Sequence, residues 1–244
     1  EVLDRDASEP RAVAAMESLL EDDELAPDVV EVLEPVYRQT EATEKVAALY
    51  DVRIHLAETT GERVRFLQDQ ALVYENELGD AGRALDALRR AFELDPRDEV
   101  LAGDLERLAP TVEGGWESLR GLIERVLEDD DGDMDRMAVR DLNMRGARWY
   151  RDHLGDLAAA EARYRAAVTA DPDTREAHEN LVALLRAPGR EEELLAALVH
   201  WAEVDFDEDA KKERLREAAA IAESALGKPD RAAACFDQIL EADP

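Results

Sequence analysis

The sequence predicts an all-α protein built from stacked helical hairpins, and three observations predict it. Ala, Leu, Glu and Arg dominate, while aromatics make up only 5% of the 244 residues and β-branched residues are sparse; these are strong helix formers. No stretch sustains the period-two alternation of Val, Ile or Thr that a half-buried strand requires. Third, the chain repeats itself at a fixed interval.

The repeat is read from three segments, "ALVYENELGDAGRALDALRRAFELDP" from Ala71, "ARWYRDHLGDLAAAEARYRAAVTADP" from Ala147 and "AIAESALGKPDRAAACFDQILEADP" from Ala220. The glycines Gly79, Gly155 and Gly227 are spaced by 76 and 72, and Pro96, Pro172 and Pro244 keep the same two spacings, as do Ala71, Ala147 and Ala219. Ala12, Ala84, Ala160 and Ala232 extend the register to the start of the chain, at intervals of 72, 76 and 72. Four marker types in one register make a repeat rather than a coincidence.

Each marker has a physical reason. A glycine after an apolar-periodic segment supplies the left-handed residue that ends a helix. Small alanines let two antiparallel helices approach. The Asp-Pro pair stops the second helix, because a residue before proline avoids the helical region. The second helices carry an apolar stripe at helical spacing, Ala84, Leu85, Leu88, Ala91 and Phe92, and again Ala232, Ala233, Phe236, Ile239 and Leu240. Each hairpin therefore presents a face that a neighbour must cover. The long repeat holds two hairpins; the second is degenerate, at "GGWESLRGLIERVLE" from Gly114 and "PGREEELLAALVHWAEV" from Pro188. In chain order, helices are expected near 10–22, 27–39, 43–59, 62–78, 81–94, 98–109, 115–129, 134–154, 157–170, 174–187, 190–204, 210–226 and 230–242.

These residues resemble the tetratricopeptide repeat, a helix–turn–helix of about 34 residues with small residues in both helices, Gly at the turn and Pro after the second helix. The pattern is met at Ala71, Gly79, Ala84, Ala91 and Pro96, then at Ala147, Gly155, Ala160, Ala167 and Pro172, and at Ala219, Gly227, Ala232 and Pro244, where Ile239 replaces a small residue. The first helices are one residue longer than the family norm, and the intervening hairpins lack the proline. The resemblance is strong at 63–96, 139–172 and 211–244. It implies a right-handed α-solenoid of about six and a half antiparallel hairpins, a single array over 1–244 with units near 1–62, 63–138, 139–208 and 209–244. The array opens and closes on a second-type helix without a capping mate, so it is expected to be an excerpt of a longer chain or to associate end to end.

Charge excludes whole classes of partner. With 30 basic and 60 acidic side chains the formal charge is −30, so the chain lacks the basic footprint of a nucleic-acid or anionic-membrane binder. No apolar run approaches the ~20 residues of a membrane span. The single cysteine, Cys235, excludes an intramolecular disulfide and suits a reducing compartment; a cytoplasmic location is expected, with a leader cut away ahead of Glu1 as the open alternative. The acidic surface serves solubility or steers basic partners.

Catalytic and metal constellations are not spelled out. His55, His153, His178 and His200 are scattered and form no H-E-x-x-H pair. Aligning Gly132 of "EDDDGDMD" with the invariant sixth position of a calcium loop puts Leu127 and Ala138 at ligand positions one and twelve, so that reading fails. No serine lies in a G-x-S-x-G elbow, and Cys235 and the tryptophans Trp116, Trp149 and Trp201 read as packing residues. No cofactor, metal or enzymatic activity is expected.

The function expected is a protein-interaction scaffold that binds a peptide or partner domain in a concave groove, as the resemblance implies. The alternatives are a ligand- or peptide-gated regulator and the non-catalytic arm of a larger enzyme. The groove is assigned to the helix near 134–154, which carries Arg136, Arg140, Arg145, Arg148 and Arg151 against Asp135, Asp141 and Asp152. At 100° per residue, Arg140, Met144, Arg148 and Arg151 share a side opposite Val139, Leu142, Trp149 and Leu154. Asp141 can pair with Arg145 and Arg148 with Asp152, whereas Arg140 and Arg151 have no acid three or four residues away. A shift of 72 adds Lys212 and Arg216. Counted from Ala147, this side matches the family's groove positions, and the peptide contacts expected are Arg140, Met144, Arg148, Arg151, Lys212 and Arg216. The competing expectation is that these cations pair with acids of neighbouring helices.

Overall fold

The computed structural model describes residues 9–130 and 132–242; the marker Pro244 and Asp131 of the acidic loop lie outside them. Among the described residues there are fourteen α-helices and no strand. They are α1 Pro10–Glu17, α2 Ala26–Gln39, α3 Thr43–Leu56, α4 Thr60–Leu72, α5 Ala81–Leu94, α6 Glu99–Leu108, α7 Gly115–Ser118, α8 Leu122–Glu128, α9 Arg136–Trp149, α10 Leu157–Ala170, α11 Arg175–Leu185, α12 Glu191–Val204, α13 Glu208–Ala220 and α14 Pro229–Ala242.

The chain divides into two compact units, Glu1–Val126 and Leu127–Pro244. The division falls inside α8, so compact units and repeat edges do not coincide. In each unit, sequential helices pack as antiparallel hairpins in chain order, α2 to α6 in the first and α9 to α14 in the second. This is α-solenoid packing, in which each hairpin covers its neighbour's apolar face.

Side-chain caps set where the helices begin. Thr59 accepts from Glu62 N while the Glu62 carboxylate accepts from Thr59 N, a reciprocal capping box that starts α4. Asp80 Oδ1 accepts from Arg83 N at 2.9 Å, and Asp156 Oδ1 from Ala159 N at 3.0 Å, at equivalent places in two copies. The third copy has Lys228 there and starts α14 on Pro229, whose fixed φ suits a first helical turn.

The extra residue of each long first helix has a structural outcome. α4, α9 and α13 each close on a π-helical turn, Val73–Glu77, Tyr150–Leu154 and Ile221–Ala225, which is how an α-helix absorbs one added residue. The chain then reverses through Gly79, Gly155 and Gly227 at φ 64°, 64° and 61°. Asp80 N donates to Tyr74 O, Asp156 N to Tyr150 O and Lys228 N to Ala222 O, each bond spanning one residue more than the usual closure of a glycine-terminated helix because the π turn carries the added residue. The segment expected as one helix over 115–129 is broken: Gly121 takes φ 72° between α7 and α8, and only glycine enters that region without steric cost.

The apolar seams hold the hairpins together. In unit 1 Leu33, Leu67, Phe92, Leu101, Leu105 and Leu108 are fully buried, and in unit 2 Tyr164, Leu185, Leu195 and Leu198. Each such side chain contributes about 1.5–3 kcal/mol. Ion pairs then link one hairpin to the next on both sides. Second helices are joined by Arg83–Glu44 and Arg165–Glu193, first helices by Arg107–Glu75 and Arg148–Glu176. Exposed pairs of this kind contribute at most about 1 kcal/mol each, so burial carries the stability and the pairs restrict register.

Candidate functional site

The arginines of α9 sit on the seam between α9 and α11, two first helices of unit 2. Arg140 donates to Asp171 Oδ2 at 2.7 Å and to the adjacent Asp141 at 2.8 Å. Arg148 reaches Glu176 at 3.3 Å. Arg151 donates to Asp152 at 2.7 Å and to the amide oxygen of Asn180, and its guanidinium lies 5.8 Å from the centre of the Tyr164 ring. The hydrogen bond from Arg140 holds the Asp171 carboxyl below the usual carboxylate range, and Arg151 does the same to Asp152. Arg140 and Arg151, with no acid at helical spacing, thus take the carboxylate one residue on and a distant partner, Asp171 at the end of α10 for the first and Asn180 of α11 for the second.

Met144 does not belong with them. It is 3% exposed and part of the unit-2 core with Ala147, Tyr164 and Leu181. The helical wheel treats α9 as one-sided, but Leu142, Asn143, Met144, Gly146, Ala147 and Trp149 are all buried, so α9 is enclosed around most of its circumference. A ligand cannot reach Met144 in this structure. Its equivalent in α13, Arg216, is exposed and makes no ion pair among the described residues, while Lys212 is half-buried. Leu72 and Ala220, the repeat equivalents of Arg148, are exposed, and Arg148 itself is half-buried with its side chain 41% exposed, which marks one position on the first helices that packing never seals.

On the second-helix side of the same unit lies a cleft of about 690 Å³ lined by Glu161, Arg165, Val168, His178, Leu181 and His200, among others. It is open to solvent, with an apolar floor and an ion-paired rim in which Arg190 donates to Glu161 at 2.9 Å; that bond brings the Glu161 carboxyl down to about 2. His178 is buried, and its Nε2 lies 2.9 Å from the Pro172 carbonyl. A carbonyl only accepts, so Nε2 carries the proton. Burial pushes the His178 imidazole below its ordinary value. Nothing in its spacing separates His178 from the other three histidines; only the hydrophobic phase of Ala177, Leu181 and Val182 places it inward.

The remaining residues singled out in the sequence are packing or capping groups. Cys235 is buried in the unit-2 core, and burial raises its thiol. Trp201 stacks on His178, and Trp149 is buried. In the acidic loop the Asp130 carboxylate accepts from Asp133 N and Met134 N. Among the described residues, no group of three or more His, Cys, Asp or Glu is arranged to hold a metal ion, and no helix is long and apolar enough to cross a membrane.

No curated protein matches the chain. Solved structures that resemble it distantly include the following two. BtubC (BKLC) of P. vanneervenii is 14% identical, with 95% of this chain and 89% of that one covered at a TM-score of 0.32. The C-terminal part of a TPR repeat-containing protein of Cytophaga hutchinsonii is 12% identical, with 100% and 93% covered at a TM-score of 0.38. The family profile described as tetratricopeptide repeat matches residues 112–243, more than half of the chain. With the repeated glycine-terminated hairpins of both units, this match makes the chain a member of the tetratricopeptide repeat family.

Proposed function

We propose that this chain is a non-catalytic scaffold whose unit 2 binds an acidic peptide segment, or a C-terminal carboxylate, along the face formed by its first helices. Tetratricopeptide repeats generally mediate protein–protein interaction, and the family's members are typically scaffolds. The observation that carries the finer reading is the concentration of cations on this face in a chain of charge −30: Arg140, Arg148 and Arg151 on α9, then Lys212 and Arg216 on α13. Asp171 and Asn180 hold Arg140 and Arg151 in fixed rotamers, which lowers the entropy a ligand must remove to use their remaining donors. Arg216 is exposed, and the half-buried Arg148 keeps 41% of its side chain exposed. Planar guanidiniums suit carboxylates because they donate in pairs.

The test is fluorescence anisotropy with a labelled acidic peptide bearing a free C-terminus, its C-terminal amide and a lysine-rich counterpart. An Arg148→Glu/Arg216→Glu variant is compared with the wild type. These positions are chosen because Arg216 makes no ion pair among the described residues and Arg148 holds only a 3.3 Å pair to Glu176, whereas reversing Arg140 breaks bonds to Asp141 and Asp171 and reversing Arg151 those to Asp152 and Asn180. Binding of the acidic peptide that weakens about tenfold in the variant, and weakens with added salt, supports the reading. Equal affinity for wild type and variant, or preference for the lysine-rich peptide, refutes it.

A further inference from the structure

The cleft on the second-helix side of unit 2 is walled by α10 and α12 and floored by α11, three consecutive helices from the interior of the chain. The repeat accounts for the room in it. Val168 of α10 and Ala196 of α12 line it, and the residues 76 positions earlier are Phe92 and Arg120. Side-chain volume is therefore withdrawn at two points of the lining, and about 690 Å³ is left open. That is within the range of small-ligand sites, and the lining has their usual character, apolar at Val168, Leu181 and Ala197 with few polar groups.

The polar group that stands out is His178, which is 2% exposed and lines the cleft where unit 1 has Ala102. Its Nε2 proton goes to the Pro172 carbonyl, which leaves Nδ1 as an acceptor, and Nδ1 has no partner among the described residues. A buried acceptor without a donor carries an uncompensated desolvation cost. Trp201 covers one face of the imidazole with planes 6° from parallel, so a donor reaches Nδ1 edge-on, in the ring plane where the lone pair lies. The rim has no net charge. Arg165 donates to Glu161 and Glu193 at 2.9 and 3.0 Å, and Arg190 donates to the same two carboxylates at 2.9 Å each. An ion would lose hydration in this cleft without meeting an unpaired counter-charge.

We infer that the cleft is a binding site for a small neutral aromatic molecule carrying one N–H or O–H donor, of the indole or phenol class. Its ring rests against Val168, Leu181 and Ala197, and its donor bonds His178 Nδ1. A flat ring suits a slot between two helices, and one neutral donor suits one unpartnered acceptor inside an uncharged rim. The site uses none of the cations of the first-helix face proposed above and stands or falls without it.

The experiment titrates indole, N-methylindole and skatole by saturation-transfer NMR. Skatole keeps the N–H and adds a methyl group to carbon, so it separates the donor from bulk. The proteins are the wild type, Val168→Phe and His178→Ala, which install the residues that unit 1 carries, with circular dichroism to show retained helical content. The wild type should bind indole and skatole saturably and N-methylindole about tenfold or more weakly. Val168→Phe should weaken all three, and His178→Ala should bind the three alike. Should His178→Ala fail to fold, the comparison of ligands on the wild type still decides. No saturable binding of indole, equal wild-type affinity for indole and N-methylindole, undiminished binding by Val168→Phe, or discrimination that survives in His178→Ala would each overturn the inference. A blocked tryptophan peptide that binds more tightly than indole would give the site to a partner's side chain, which also overturns the assignment to a free molecule.

Discussion

His178 and Trp201 lie face to face in the core of unit 2, with ring centroids 5.5 Å apart and planes 6° from parallel. The same indole carries the guanidinium of Arg214, 3.6 Å from the ring centre, and His200 lies 5.8 Å from His178 between centroids. Two cationic or potentially cationic groups therefore face the buried imidazole, opposed by Asp205, which pairs with Arg214.

This stack makes unit 2 sensitive to mild acid. Burial lowers the folded pKa of His178, whereas the unfolded chain takes up its proton near about 6.5. The unfolded state then binds more protons below that pH, so stability is full above it and declines as the pH falls. Melting curves of the wild type and His178→Gln, which keeps a donor toward Pro172 but does not titrate, should diverge between pH 7 and 5, with the wild type losing more. Charge relief on the acidic surface is common to both and cancels. Parallel pH dependence would show that His178 is accessible to protonation in the native state.

Gly115 and Gly155 are held to glycine by different constraints, and alanine at each separates them. A Cβ on Gly115 would stand 2.2 Å from the Ala109 carbonyl oxygen, a backbone atom that cannot rotate away. Gly155 has open space around it but φ of 64°. Gly155→Ala should cost about 1 kcal/mol, the penalty of one left-handed residue. Gly115→Ala should cost about 2 kcal/mol or more, since the turn before α7 must shift. Urea denaturation of both variants checks the order; equal losses would mean that the Ala109 turn relaxes freely.

Tyr164 is fully buried, and its hydroxyl has no hydrogen-bond partner among the described residues. Removing an unsatisfied buried hydroxyl is neutral to favourable, because its desolvation cost disappears with it. Tyr164→Phe should leave stability unchanged or raise it by up to about 1 kcal/mol. A loss of more than that in denaturant titration would reveal a bond made by the hydroxyl.

Much of the secondary structure is legible without coordinates. The breaks at Gly79, Gly155 and Gly227 and the Asp-Pro stops bound α5 and α10 at the expected residues, because Gly and Pro act on their own local dihedrals. Starts were less legible at α4, α9 and α13, where Thr59, Asp135 and Asp207 cap helices that periodicity alone places two residues away. The Thr59–Glu62 pair is a sequence-level signal that could have corrected the first of these. At the α9 face, the type and spacing of the arginines are in the sequence; their partners Asp171, Glu176 and Asn180 are 28 to 31 residues away and meet them only through packing.

The sequence by itself determined the fold class, the repeat period and the family, since each rests on local propensities and on residues recurring at a fixed interval. Tertiary structure alone decided which side chains are available to a partner. Met144 and Arg216 are the same position in two copies, yet one is sealed in a core and the other exposed. Burial depends on what a neighbouring hairpin places against a helix, and that contact is absent from the helix's own periodicity.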